Sequence, residues 1–154
     1  MTKRALSFNP NHIFVDTNVL VGGYSGDAKF QKDDDCLHYL YSIVGKRLYI
    51  STLSVAQLIS VYQKCKTNDE IRTIVRELQH RFTIINFTVK DLDFALDQTG
   101  ADIEEDDGEH QSSIQFVLAR KQKCRVIITN NYKDYRLLLG AQIIKPSKVR
   151  TIAR

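Results

Sequence analysis

The chain has 154 residues, 43% hydrophobic and 26% charged, a size that suggests one domain able to bury a core without disulfide or metal staples. No apolar run approaches the ~20 residues of a membrane helix, and residues 1–8 lack the apolar stretch of a secretory signal. The three cysteines are far apart and form no Cys-x-x-Cys pair, which argues against a disulfide framework or a zinc site; a cytoplasmic protein with Cys36, Cys65 and Cys124 packed as small hydrophobes is expected.

Strand-like and helix-like runs alternate along the chain. Residues 12–15 read as a first strand. Residues 30–44 read as a helix, with Cys36, Leu37, Leu40, Tyr41 and Val44 at 3–4 spacing, stopped by Gly45. A second strand at 48–50 leads to Ser51, Thr52 or Ser54 as cap of a helix over 55–64. Asn68 is the expected cap of a helix over 69–79, with Ile71, Ile74, Val75 and Leu78 on one face. A third strand covers 82–87. Thr88 and Asp91 stand in capping-box positions for a short helix to about 97. An acidic loop follows, and Asp107 reads as the cap of a long helix to 122. A fourth strand covers 125–129, a short helix 132–139, and a fifth strand 142–144. This order predicts a three-layer α/β/α sandwich with a short, mostly parallel central sheet. The strands are continuously apolar, as burial on both faces requires. No Gly-x-Gly-x-x-Gly or phosphate-binding loop is present.

The net charge of +4 is unevenly spread. Asp-Ile-Glu-Glu-Asp-Asp-Gly-Glu at 102–109 holds six of the eighteen acids, leaving 22 basic residues against 12 acids, a surplus of +10, elsewhere. A basic body around an acidic cluster suits a polyanion held over a cation site; a solvated acidic loop with an exposed basic tail at 145–154 is the plainer alternative. His12, His38, His80 and His110 share no metal spacing, and His38 is expected at a core edge. No Gly-x-Ser-x-Gly elbow exists for triad chemistry.

The most informative stretch is Ile-Phe-Val-Asp-Thr-Asn-Val-Leu-Val at 13–21. A buried strand ending in Asp16 sets a carboxylate at the carboxyl edge of the sheet, where ligands sit in open α/β folds. The same carboxylate could equally cap a helix.

Three segments together resemble the PIN domain, the nuclease fold of VapC ribonuclease toxins and RNA-processing endonucleases. They are the strand-Asp-Thr-Asn start, Ser-Thr-Leu-Ser-Val-Ala-Gln-Leu-Ile at 51–59, and Val-Ile-Ile-Thr-Asn-Asn-Tyr-Lys-Asp-Tyr at 126–135. The similarity spans about residues 12–144 of a single domain covering 1–154. It implies carboxylates that gather Mg²⁺ or Mn²⁺ at the sheet edge, activate a water and stabilise charge on a scissile phosphate. Asp16 matches the first acid, and Thr17 and Asn18 the turn after it. Gln57 stands where the family places a glutamate, and Ser112 near its third acid, so two acidic positions are replaced. Glu109 lies three residues before Ser112 on the same helix face, and Asp106 and Asp107 sit at the helix entrance. These three are candidates for the missing charge, or else cap the helix and complement its dipole. Asn131 matches an Asp or Asn position that can bind metal, Asp134 a frequently structural acid, and Thr129 and Asn130 would position a phosphate or water.

The first reading is therefore a metal-dependent ribonuclease hydrolysing RNA, with Asp16, Asp107 and Glu109 catalytic and Asp16, Asp106, Asp107 and Asn131 on the metal. As a toxin it would have an antitoxin protein partner and form a homodimer. The second is a PIN-fold protein that has lost catalysis and binds RNA or a protein. A small-molecule-binding α/β domain is the third.

Overall fold

The computed structural model describes residues 7–98, 109–131 and 141–152. Five parallel strands form one sheet: β1 (Asn9–Val15), β2 (Arg47–Ser51), β3 (Thr83–Ile85), β4 (Cys124–Ile128) and β5 (Gln142–Ile144), in the order β3-β2-β1-β4-β5. The helices are α1 (Thr17–Gly23), α2 (Gln31–Ser42), α3 (Thr52–Tyr62), α4 (Asn68–Arg81), α5 (Val89–Gln98) and α6 (Glu109–Lys121). The expected α/β/α sandwich is present, and the four strand pairings are all parallel.

Alternation along β1 sends side chains to opposite faces. Ile13 and Val15 join Leu48, Ile50, Val126 and Ile128 in the larger core, with Leu20, Leu37 and Leu40 from α1 and α2. Phe14 joins Tyr49 and Ile127 in a second core covered by Leu118 and Ala119 of α6. Two-sided burial is why the strands carry no polar alternation. Each large apolar side chain fully removed from water contributes roughly 1.5–3 kcal/mol, and Ile13, Phe14, Leu20, Ile50 and Leu118 are all in that state.

The strand order sets the position of the site. The chain moves outward from β1 through β2 to β3, then crosses to β4 on the other side of β1 and outward again to β5. Connections leaving β1 and β4 therefore diverge, and they open a crevice at the carboxyl ends of these two strands. Asp16 and Thr129 stand there side by side, and the Asp16 backbone N–H donates to the Ile128 carbonyl at 2.9 Å.

Several local expectations are corrected. Asp16 caps a helix, α1, as one of its two expected readings has it, so Thr17 and Asn18 open a helix rather than a turn. Thr67, rather than Asn68, caps α4, through a reciprocal capping box with Glu70. Ser51 caps α3, and the Thr88–Asp91 pair caps α5 as expected. The helix expected from residue 30 starts at Gln31, after a 3-10 turn (Ala28–Phe30), and ends at Ser42. Gly45, at φ +85°, turns the chain toward β2. The basic tail is not a loose arm: a 3-10 segment (Pro146–Thr151) buries Val149, Ile152 follows it into the core, and Tyr39 Oη donates to the Ile152 carbonyl at 2.6 Å. Cys65 is exposed rather than packed. His38 is exposed too, paired with Asp34 one helical turn earlier, since its position on α2 faces solvent. The helix expected over 132–139 and the cap at Asp107 lie outside the described residues. No helix among the described residues is long and apolar enough to cross a membrane.

Candidate functional site

Asp16 is buried, yet three donors hold its carboxylate at the base of the crevice. Thr17 N–H donates to Oδ1 at 2.8 Å, Thr129 Oγ1 to Oδ2 at 2.8 Å, and Asn18 Nδ2 to Oδ2 at 3.2 Å. The capping and ligand-positioning readings of Asp16 are thus not alternatives. Capping α1 uses one oxygen, and Thr129 and Asn18 orient the other.

On the β2 side lies a cluster of hydroxyls and amides. Ser51, at the end of β2, caps α3 by accepting from the Ser54 N–H at 3.0 Å and donates to Gln115 Oε1 at 2.6 Å. Gln115 Nε2 donates to Thr17 Oγ1 at 2.9 Å and to Ser54 Oγ at 2.6 Å. The Thr17 hydroxyl in turn reaches Ser54 Oγ and Gln57 Oε1, each at 2.8 Å. Gln115 is 1% exposed and spends its carbonyl and both amide protons inside this cluster. Gln57, one and a half turns into α3, turns its carbonyl inward to Thr17.

On the β4 side a second chain of contacts leads away from Asp16. Asn18 Oδ1 accepts from Asn130 N–H at 3.2 Å and from Asn130 Nδ2 at 3.3 Å. Asn130 Nδ2 also donates to Asp33 Oδ1 at 3.0 Å. Burial pushes the Asp33 carboxyl above its ordinary value, and the Asn130 amide opposes that shift. Gly22 makes room for Asp33: a Cβ there would lie 1.9 Å from Asp33 Oδ2.

Part of this network lines a cleft of about 560 Å³. Asp16, Asn18, Gln57, Gln115 and Asn131 line its polar side, and Val21, Phe30 and Val61 an apolar wall. Asn131 stands exposed at the mouth, its backbone N–H bonded to Thr129 Oγ1 at 3.0 Å.

No protein-family profile matches the chain, and no curated protein matches it by sequence. Solved structures do match. A toxin–antitoxin complex from Klebsiella pneumoniae aligns with a TM-score of 0.63 at 20% identity, over 87% of this chain and 97% of that one. VapC20 of Mycobacterium tuberculosis, a sarcin-ricin loop cleaving toxin, aligns at 0.58 and 16% identity, over 75% and 86%. VapBC2 from Rickettsia felis, bound to a DNA fragment from its promoter, aligns at 0.58 and 19% identity, over 87% and 98%. The chain has the PIN-like fold of the VapC toxins.

Against that PIN fold, the positions expected from the sequence separate into three groups. Asp16, Thr17, Asn18, Gln57, Thr129, Asn130 and Asn131 come together around the crevice. Glu109 and Ser112 lie in the first turns of α6, the helix that brings Gln115 into the cleft. Asp106, Asp107 and Asp134 lie outside the described residues. Gln115 and Asp33 were not anticipated. Gln115 sits three residues beyond Ser112, on the same helix face, and this spacing was the only sequence signal for it. Asp33, in a solvated-looking run of three aspartates, carried none.

Among the described residues the donors beside Asp16 do not by themselves make up the charged oxygen set that a hard divalent ion needs: Asp16 supplies one charge, the carbonyls of Gln57 and Gln115 are turned to Thr17 and Ser51, and no group of three His, Cys, Asp or Glu side chains converges there.

Proposed function

We propose that this chain is a PIN-fold protein that binds RNA at the Asp16 cleft and has lost most or all of the power to hydrolyse it. The observation that carries this reading is the amide cluster beside Asp16. A nuclease site of this fold needs carboxylates to gather metal and spread charge over a phosphate, whereas Gln57 and Gln115 are neutral and Gln115 is saturated within the protein. The basic surplus elsewhere in the chain supplies the sequence-independent attraction for a phosphate backbone. Likeness to toxin–antitoxin assemblies supports a protein partner of antitoxin type as well.

The second reading, a metal-dependent endoribonuclease of the toxin class, is favoured by one feature. Asp16 is retained at the crevice, and α6 opens at Glu109, so the acids at 106–109 lead directly into the helix that carries Gln115 to it. Incubating a mixed RNA with Mn²⁺ or Mg²⁺, for the parent and for Asp16→Asn, separates the two. Salt-dependent binding without cleavage by either protein is expected. Metal-dependent cleavage by the parent that disappears in Asp16→Asn would establish the nuclease instead.

A further inference from the structure

We propose that Asp33, from outside the cleft, is a positioning residue that decides which way the amides of Asn130 and Asn18 face and so holds the Asp16 carboxylate in its orientation. Among the described residues that line the cleft, Asp16 is the one carboxylate. An asparagine amide presents N–H groups on one side and a carbonyl oxygen on the other, of nearly equal size, so packing alone does not choose between its two orientations. An ionised carboxylate does choose, because it only accepts. Asp33 Oδ1 accepts from Asn130 Nδ2 at 3.0 Å; a reversed Asn130 amide would set its oxygen against the carboxylate. With that nitrogen fixed, it also donates to Asn18 Oδ1 at 3.3 Å, which the Asn130 backbone N–H meets at 3.2 Å. Asn18 then has its oxygen engaged and turns Nδ2 to Asp16 Oδ2 at 3.2 Å. Acceptor-only groups therefore stand at both ends, and each amide between them is satisfied in one orientation.

A plainer role for Asp33 would be to complement the dipole of α2, whose first turn it shares with Asp34. Asp34 fills that role in contact with solvent, where it meets Gln31 and His38. Asp33 is 5% exposed, and dipole complementation does not require burial, which works against the ionised form. The fold nevertheless leaves the space for this carboxylate at Gly22. Asn130, in contrast, stands exposed, so water competes for its amide, and a fixed buried partner is what selects one orientation. The residue so held lies between Thr129, whose hydroxyl donates to Asp16, and Asn131 at the mouth of the cleft. Asp33 thus reaches the Asp16 carboxylate without lining the cleft itself.

The test measures, by NMR on the full chain, how fast the side-chain amide protons of Asn18 and Asn130 exchange with water in the parent, Asp33→Asn and Asp33→Ala. Asp33→Asn removes the charge and keeps an oxygen for Asn130; Asp33→Ala removes both. In Asp33→Ala the Asn130 amide should exchange about tenfold faster, the factor expected for losing one hydrogen bond to a charged group, and the Asn18 amide should quicken with it. Asp33→Asn should restore slow exchange at both. Melting temperatures recorded alongside separate this from a purely structural role, which would shift the melt and leave the amides of the two variants alike. Asn130→Ala, at an exposed position, gives a second reading that does not disturb α2: the Asn18 amide should again exchange faster. Parental exchange at Asn130 in Asp33→Ala, equal exchange in the two Asp33 variants, or an Asn18 amide unmoved by Asn130→Ala overturns the proposal. None of these readings uses RNA, so they stand or fall separately from the RNA-binding function.

Discussion

Toward β4, Asn18 and Asn130 join two buried carboxylates, Asp16 in the cleft and Asp33 outside its lining, while toward β2 the set formed by Thr17, Ser51, Ser54, Gln57 and Gln115 holds none. Toward β4, three donors hold the Asp16 carboxylate and Asn130 meets that of Asp33. Toward β2 the polar side chains are neutral and bond one another. The contrast shows two ways of keeping polar groups at one sheet edge: charge met by donors, and amides met by hydroxyls. Neutral networks of this kind are stabilising only when complete, and Gln115 is the residue that completes this one.

The comparison is broken most severely at Gln115. Gln115→Leu leaves Ser51, Ser54 and Thr17 without their shared partner in a buried place. Urea unfolding should show a loss on the order of 3 kcal/mol, since each stranded polar group costs about 1–3 kcal/mol; a loss below about 1 kcal/mol would mean that the cluster re-pairs without it. Gly22→Ala attacks the other half by driving a methyl into Asp33, and overpacking of this sort costs about 1–3 kcal/mol in the same measurement.

Adding charge sharpens the contrast. Gln115→Glu places a carboxylate where both amide protons were used and where burial opposes ionisation. Its pKa in the fold should lie above the unfolded value, so the variant should approach parental stability in acid and fall away as pH rises through and beyond the ordinary carboxylate range. Gln57→Glu, at a partly exposed position with only its oxygen engaged, should change stability by less than about 1 kcal/mol. Similar pH-dependent losses in both variants would erase the distinction between the two positions.

The smallest effect is expected at Asp33. Its carboxyl is raised by burial, so the folded state holds the proton more readily than the unfolded chain. Stability therefore declines as pH rises from the unfolded value toward the folded one. Asp33→Asn removes that penalty and keeps an oxygen for Asn130. Thermal melts should show a modest gain at neutral pH that shrinks as pH falls below the ordinary aspartate range. A gain independent of pH would point to a cause other than ionisation.

How far the sequence could be read differs between fold and site. The β1, β2 and β4 segments were legible because parallel strands buried on both faces must be continuously apolar, and β5 was placed at its observed limits. The helix after Asp16 was legible only as one of two readings, because a strand-ending aspartate can stand at a sheet edge or cap a helix, and Thr17 and Asn18 also match a turn. The capping residue of α4 was misplaced by one position, the usual consequence of two adjacent residues that can both cap. Among site residues, Asp16 was visible because it ends a buried strand. Gln115 was hidden because a glutamine within an amphipathic helix reads as surface.

The sequence by itself determined the layered α/β architecture and the position of Asp16 at the sheet edge, because both follow from local periodicity and from where an apolar run stops. Only the tertiary structure decided that Gln57 and Gln115 meet over Thr17, that Asp33 is drawn beneath Asn130 in the space left by Gly22, and that the basic tail closes against α2. The hydrogen bonds among them join partners separated by 40 to 113 positions along the chain, and they exist only once the fold has brought the elements that carry them together.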